Sequence, residues 1–175
     1  MPGRRSVSES VLSASRTIPK EVAGRIRLVV FDVDGVLTDA GVYLGETASG
    51  ERVELKRFNI QDGLGLRLLE EAGVKVVLIS GRVSGATTVR AAELGVEAFQ
   101  DAGAQKMGHL TRVMTREGLD WPEVAMLADD LPDMAVFTRV GLKAAVANAQ
   151  PEILEAADWV STRRGGDGAA REFCR

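Results

Sequence analysis

The stretch Leu28–Asp39, LVVFDVDGVLTD, carries two aspartates, Asp32 and Asp34, directly after four apolar residues and before a glycine. An apolar run of this length, rich in β-branched and aromatic residues, is typical of a strand buried on both faces of a parallel sheet. In open α/β sheets, ligands bind beyond the carboxyl ends of the strands. Two carboxylates at such a point are therefore candidates for catalysis or metal binding.

Other polar residues follow other predicted strands. Ser80 comes after the strand 74–79, and Asp129 and Asp133 come after the strand 124–127, while Lys106 begins a predicted helix. Four carboxylates cannot share one small crevice unless something neutralises them, because like charges at close range raise each other's pKa. Mg²⁺ prefers oxygen ligands and is commonly bound by one or two carboxylates together with substrate phosphate. The set therefore predicts phosphoryl chemistry that depends on Mg²⁺.

The two leading aspartates can divide the work of a phosphatase. Asp32 is the predicted nucleophile, since a carboxylate is already ionised at neutral pH and needs no base to activate it. Asp34 is the predicted acid and then base, which protonates the leaving oxygen and later accepts a proton from the attacking water. Lys106 and the Ser80 hydroxyl would hold the phosphoryl oxygens as charge develops on them.

The elements that position these residues alternate between strand and helix along the core. The strands are expected at 27–32, 74–79, 96–99, 124–127, 143–146 and 159–160, with helices between them. This order predicts an α/β fold, a Rossmann-like, open, mainly parallel sheet with helices on both faces. Apolar residues at 42–44 and 53–55 flank a polar tip and predict a small β-hairpin insertion. Residues 1–24 are expected to form a flexible or loosely docked arm, with a short helix possible over 8–16, and residues 25–175 a single hydrolase domain.

The bulk properties exclude several classes of partner. With 22 basic and 25 acidic residues, the formal net charge of −3 indicates neither nucleic acid nor an acidic membrane surface as a ligand. The single cysteine, Cys174, excludes an internal disulfide framework and indicates a reducing compartment, so we expect a cytoplasmic protein. No apolar run approaches the ~20 residues needed to span a bilayer.

The polar segments together resemble the four motifs of the haloacid dehalogenase superfamily. Residues 31–39 (FDVDGVLTD) look like its first motif, 80–82 (SGR) like its second, Lys106 like its third, and Asp129 with Asp133 like its fourth. Residues 58–65 (FNIQDGLG) and the segment 165–172 (GGDGAARE) are similar to the capless sugar-acid phosphatases typified by the 3-deoxy-D-manno-octulosonate 8-phosphate phosphatases. The resemblance covers roughly residues 27–173.

The resemblance implies a function and a metal site. It implies Mg²⁺ bound by Asp32, the backbone carbonyl of Asp34 and Asp129, with Asp133 bracing the metal shell. The implied activity is hydrolysis of a phosphorylated sugar acid, 3-deoxy-D-manno-octulosonate 8-phosphate or a related nonulosonate 9-phosphate, through an aspartyl phosphate. A phosphotransferase using the same intermediate and a non-catalytic oligomerisation module of a sugar-activating pathway are the alternatives.

The resemblance also implies a homotetramer, and the lengths of the insertions agree with it. Between Asp39 and Val74 there is room for a hairpin and one helix, and between Lys106 and Asp129 for one helix and one strand, so neither insertion can form a cap domain. An open site excludes water poorly, so a neighbouring subunit is the expected lid. The C-terminal helix is short, which leaves its role open.

Some candidate residues keep two interpretations. Arg82, next to Gly81, could bind the carboxylate of a sugar acid or form a local salt bridge. Asn59, Gln61 and Asp62 could bind substrate or shape the loop that leads into the following helix.

Overall fold

The computed structural model of the chain describes residues 17–101, 103 and 105–175. The short helix expected over 8–16 lies outside these residues. In the described part the strands are β1 (Leu28–Phe31), β2 (Tyr43–Glu46), β3 (Arg52–Leu55), β4 (Lys75–Ser80), β5 (Glu97–Gln100), β6 (Val124–Ala128), β7 (Leu142–Ala145) and β8 (Trp159–Val160). The α-helices are α1 (Lys20–Ala23), α2 (Ile60–Glu71), α3 (Gly85–Leu94), α4 (Lys106–Glu117), α5 (Met134–Phe137), α6 (Pro151–Ala156) and α7 (Ala169–Phe173).

A six-stranded parallel sheet with strand order β5-β4-β1-β6-β7-β8 forms the centre of the domain. β1 lies between β4 and β6, and all four of its residues are buried. Because Phe31 pairs with both Leu78 and Leu127, these three strands end at nearly the same level. The predicted parallel α/β fold is confirmed, and the register brings the residues after the three strands to one edge.

The predicted hairpin is also confirmed. β2 and β3 pair antiparallel in a separate two-stranded sheet, with Tyr43 opposite Leu55. The described residues between β1 and β4 add only this hairpin and α2, so no cap domain is built there. No domain inserted between β1 and β4 therefore covers the carboxyl end of β1, and a ligand can reach it beside the hairpin.

The C-terminal segment is packed onto the core through α2. Both oxygens of Asp62 accept hydrogen bonds from this segment, from the backbone N–H of Gly168 (3.2 Å) and of Arg171 (2.8 Å). The Phe173 ring lies edge-on to Phe31, with ring centroids 6.2 Å apart. A helix of five residues is far below the ~12–15 that an isolated helix needs, so these contacts rather than helix propensity hold α7 in place.

The described start of the chain is anchored lightly. α1 is a single turn, and Ile18 and Val22 are half-buried against the core. The boundary between arm and domain near residue 24 stays a prediction. Among the described residues, none of the helices has the length and apolar character required to cross a membrane.

Candidate active site

The edge formed by the carboxyl ends of β1, β4 and β6 collects the acidic residues. Asp32 follows β1 directly, Ser80 ends β4, and Asp129 follows β6 directly. Asp133 is the last residue of a short 3-10 helix, Leu131–Asp133, which begins directly after Asp130. The structure thus brings together four of the residues that the sequence predicted for one site.

Lys106, the first residue of α4, lies at the centre of this group. Its ammonium donates to Asp32 Oδ1 and to Asp133 Oδ1, each at 2.6 Å, and all three side chains are buried. Burial acts to lower the pKa of Lys106, but the charges of Asp32 and Asp133 outweigh it and raise that pKa, so the lysine stays charged. One cation therefore lies between two of the carboxylates.

The carboxylates nevertheless outnumber this cation. Ligand oxygens of Asp32, Asp129 and Asp133 all lie within 4.8 Å of one another. Burial, followed by the charges of Asp32 and Asp130, raises the pKa of Asp129 to about 7. Burial and the charge of Asp32 also raise the pKa of Asp133 well above its ordinary value.

A divalent cation fits this imbalance. The second oxygen of Asp133, Oδ2, is buried and has no hydrogen-bond partner among the described residues. An unpaired buried carboxylate oxygen is costly, and three clustered carboxylates repel one another unless a positive charge is added. Oxygen ligands of this kind suit Mg²⁺. The Asp34 side chain is not part of this carboxylate cluster, and a contribution from its backbone carbonyl stays a prediction.

Gly35 allows the first loop to approach the metal ligands. Its φ is +95°, and a Cβ added there would overlap the carboxylate of Asp129. Only glycine combines this backbone conformation with the close contact. The glycine next to the two leading aspartates is thus required by the position of Asp129.

Asp34 is held by different partners from those of Asp32. Ser80 Oγ lies 3.2 Å from Asp34 Oδ2, and Lys56 Nζ lies 2.7 Å from Asp34 Oδ1. Lys56 was not among the site residues predicted from the sequence. The available signal was the period-two spacing of Glu54 and Lys56 at the end of β3, which places both side chains on one side of the chain.

The candidate substrate-binding residues take different places. Arg82 forms the local salt bridge, with Nη2 2.6 Å from Glu54 Oε2, although 48% of its side chain stays exposed. The hydrogen bond from Arg82 is the main reason why the pKa of Glu54 is lowered to about 2. Gly81 is half-buried between Ser80 and Arg82.

The residues at the start of α2 shape that helix. Asn59 caps it by accepting from the backbone N–H of Gln61 at 2.8 Å, and Gln61 is exposed. Asp62 is 1% exposed, and its two oxygens are already used by the C-terminal segment. These contacts favour the structural alternative for Asp62 over direct substrate binding.

Comparisons with known proteins agree with the geometry. The haloacid dehalogenase-like hydrolase family matches residues 98–173. The 3-deoxy-D-manno-octulosonate 8-phosphate phosphatase of Escherichia coli K12 is 38% identical over 152 residues, which are 87% of this chain and 79% of that protein.

Solved structures of similar proteins have the same fold. The crystal structure of the phosphatase of that name from Yersinia pestis superimposes with a TM-score of 0.81 at 38% identity, covering 88% of this chain and 81% of that one. The corresponding phosphatase from Moraxella catarrhalis, solved in complex with magnesium, phosphate and KDO, gives a TM-score of 0.80 at 33% identity, covering 88% of this chain and 86% of that one. The chain belongs to the 3-deoxy-D-manno-octulosonate 8-phosphate phosphatase family of the haloacid dehalogenase-like hydrolases.

Proposed function

We propose that this chain is a Mg²⁺-dependent phosphatase that hydrolyses a phosphorylated sugar acid, with 3-deoxy-D-manno-octulosonate 8-phosphate as the first candidate. The observation that carries the proposal is the buried cluster in which Lys106 holds Asp32 and Asp133 at 2.6 Å each, beside Asp129. The relative from Moraxella catarrhalis, which contains magnesium, phosphate and KDO, supports the substrate class.

Asp32 attacks phosphorus, and the bond from phosphorus to the leaving oxygen breaks. Asp34 gives its proton to that oxygen and then takes one from the water that hydrolyses the aspartyl phosphate. Lys106 orients Asp32 and, with the Ser80 hydroxyl, stabilises the charge that develops on the phosphoryl oxygens. Asp34 and Ser80 are close enough for this division of work, since Ser80 Oγ lies 3.2 Å from Asp34 Oδ2.

Asp32, Asp129 and the backbone carbonyl of Asp34 would hold Mg²⁺, which when bound neutralises the carboxylates and the phosphoryl oxygens. Lys106 occupies Oδ1 of Asp133, so Oδ2 is the atom with which Asp133 would brace the metal shell.

The sugar acid needs contacts beyond the phosphate. Arg82, Gly81, Asn59 and Gln61 are the proposed contacts, and Asp62 would contribute through the position of α2. Arg82 is the best placed for a carboxylate, because a guanidinium pairs with it through two N–H groups and about half of the side chain is exposed.

We further infer a homotetramer located in the cytoplasm. The hairpin exposes large apolar side chains, Tyr43 (65%), Leu44 (75%) and Leu55 (59%), next to a site that has no cap among the described residues. Burying this surface against a second copy of the chain would remove apolar area from water and cover the site. The single cysteine suits a reducing compartment.

The function is tested by phosphate release from a panel of sugar phosphates, with Mg²⁺ and with a chelator. We expect release that needs Mg²⁺ and falls by about 10³-fold or more in Asp32→Asn, because the nucleophile is lost. Asp167→Asn, at an exposed site, is the control and should keep full activity. Full activity in Asp32→Asn would exclude the nucleophile assignment. The absence of release from every substrate would favour the oligomerisation module.

A further inference from the structure

A second buried lysine lies beside the site, and the catalytic scheme above does not use it. Lys56 is the first residue after β3, and its side chain is fully buried (0% exposed). Its ammonium lies 2.7 Å from Asp34 Oδ1, 3.3 Å from Thr87 Oγ1 and 3.8 Å from Glu54 Oε1. A buried ammonium is stable only when it is paired, and the short contact makes Asp34 its main partner.

The two buried lysines serve different aspartates. Lys106 holds Asp32 and Asp133, whereas Lys56 holds Asp34. Lys56 also reaches Asp34 from another part of the fold, the end of the hairpin, while Lys106 comes from the start of α4. The role of Lys56 is therefore separate from the fixed charge that Lys106 supplies at the nucleophile.

The contact with Lys56 decides which oxygen of Asp34 can carry a proton. An ammonium carries a positive charge, so it repels a proton placed on the carboxyl oxygen that faces it at 2.7 Å more strongly than one placed on the other oxygen. Lys56 and Oδ1 form an ion pair without an aligned hydrogen bond, and this charge contact makes Oδ2 the favoured oxygen for the proton of the Asp34 acid. Ser80 Oγ lies 3.2 Å from Oδ2 and 3.0 Å from the Arg82 carbonyl, so its hydroxyl can donate to either acceptor.

We propose that Lys56 is a positioning residue for the acid step: it fixes the Asp34 carboxyl so that Oδ2 carries the proton and delivers it to the leaving oxygen. In that step Asp32 forms a bond to phosphorus, and the bond from phosphorus to the leaving oxygen breaks. The proton on Asp34 Oδ2 moves to that oxygen and leaves Asp34 ionised against Lys56. This inference rests on the proposed phosphatase function.

The test compares leaving groups that need the proton with one that does not. An alkyl phosphate leaves as a strongly basic alkoxide and depends on the acid, whereas p-nitrophenyl phosphate leaves as a weakly basic phenolate. The quantity to compare is kcat/KM, because it covers the steps up to the release of the leaving group and excludes hydrolysis of the aspartyl phosphate. We expect Lys56→Met to lower kcat/KM by about 10- to 100-fold for the best alkyl phosphate and by less than about threefold for p-nitrophenyl phosphate.

A double-mutant cycle separates positioning from a general structural effect. If Lys56 acts through Asp34, adding Lys56→Met to Asp34→Asn should lower kcat/KM for the alkyl phosphate by no more than about twofold. Lys143→Met is the matched control, since it removes a lysine paired with one carboxylate, Asp158, near the amino end of β7. It should change neither substrate's kcat/KM.

Equal losses on both substrates, no loss on either, or an undiminished loss in the Asp34→Asn background would overturn the proposal. Thr87→Val gives a second test if Lys56→Met does not fold, because it removes one contact of the ammonium and keeps the volume. It should produce a smaller loss, again confined to the alkyl phosphate, and equal effects on both substrates would contradict the inference. The comparison between leaving groups can use an alkyl phosphate that is not a sugar acid. A failure to hydrolyse phosphorylated sugar acids would therefore count against the proposed substrate and not against the role of Lys56.

Discussion

At the scale of single residues, the site is dominated by a surplus of negative charge in a buried place. Lys106 compensates part of the charge of Asp32 and Asp133, but Asp129 has no comparable partner among the contacts described. The raised pKa of Asp129, about 7, expresses this: burial and the neighbouring carboxylates favour its neutral form. Without metal, protonation of Asp129 therefore stabilises the folded protein at low pH, and at higher pH a bound cation would take over that role.

This predicts opposite effects of one substitution with and without metal. The folded state raises the pKa of Asp129 above its ordinary value of 3.8, so in a chelator the free energy of unfolding should fall as the pH rises through about 7. Asp129→Asn removes the charge, and in a chelator near pH 8 we expect it to be at least as stable as the native chain. Mg²⁺ should raise the unfolding temperature of the native chain and not that of the variant.

Thermal unfolding in chelator and in Mg²⁺, at pH 5 and pH 8, measures both effects. Asp167→Asn, an exposed change, should follow the native chain in all four conditions. A strong stabilisation of Asp129→Asn by Mg²⁺ would show that Asp129 is not needed to hold the metal.

The sequence was sufficient for residues that follow predicted strands and insufficient for residues whose partners lie elsewhere in the chain. Asp32, Ser80 and Asp129 could be grouped because parallel strands end at a common edge. Lys56 could not, since its partners, Asp34 in the loop after β1 and Thr87 in α3, are brought to it only by folding.

At the scale of elements, the C-terminal segment is fastened to the site through backbone contacts. The N–H of Gly166 donates to the carbonyl of Val36 at 2.9 Å, and a Cβ added to Gly165 would overlap the carbonyl of Gly35. The segment thus packs directly on the loop that carries the leading aspartates, and Asp62 holds its far end at Gly168 and Arg171.

Removing the Asp62 carboxylate should therefore destabilise the domain. In Asp62→Ala, two backbone N–H groups lose a charged acceptor in a buried place, which should cost about 2–4 kcal/mol of unfolding free energy. Urea unfolding measures the loss, and Asp62→Asn should recover part of it because an amide oxygen still accepts.

The control is Asp167→Ala in the same segment, whose exposed side chain predicts a change within about 0.5 kcal/mol. Equal stabilities of the two alanine variants would mean that the Asp62 hydrogen bonds contribute nothing to the fold.

Most element positions could be predicted because their signals are local. The helix α3 ends at Leu94, where the sequence carries a glycine next, and Gly95 caps it with a φ of +71° that suits glycine. The two 3-10 turns, at Trp121–Glu123 and Leu131–Asp133, were not predicted, because each is a single short turn with no periodic pattern to detect. The second turn places Asp133 beside Lys106 in the site.

At the scale of the whole molecule, residues 17–175, as far as the structure describes them, leave the active edge uncovered and place an apolar hairpin beside it. Exposed apolar clusters of this kind mark interaction surfaces. Tyr43, Leu44 and Leu55 are each more than half exposed, although β2 and β3 pair well with each other. The two strands of the hairpin are therefore well paired, but its apolar face is exposed to solvent.

A charge placed on the hairpin should break the proposed homotetramer. Leu44, 75% exposed, can be changed to Glu with little effect on the fold of one subunit, but burying that charge in an interface would be costly. We expect light scattering to report a smaller assembly for Leu44→Glu and an unchanged one for Ala48→Glu at the hairpin tip. A native chain that is monomeric at micromolar concentration would contradict the tetramer.

The fold class could be predicted at this scale because the alternation of strands and helices runs through the whole core. The assembly could not be derived in the same way, because its contacts join residues of different chains and leave no periodic signal in one sequence.

The position of Lys56 also limits how this scaffold could be redesigned. Because the hairpin lies outside the main sheet, replacing it is an obvious way to change substrate specificity. However, Glu54 in the hairpin pairs with Arg82, and Lys56 contacts Asp34, the proposed proton donor. A graft that replaces residues 43–53 leaves the contact between Lys56 and Asp34 in place, whereas one that extends through 56 would exchange the hairpin and the support of Asp34 together.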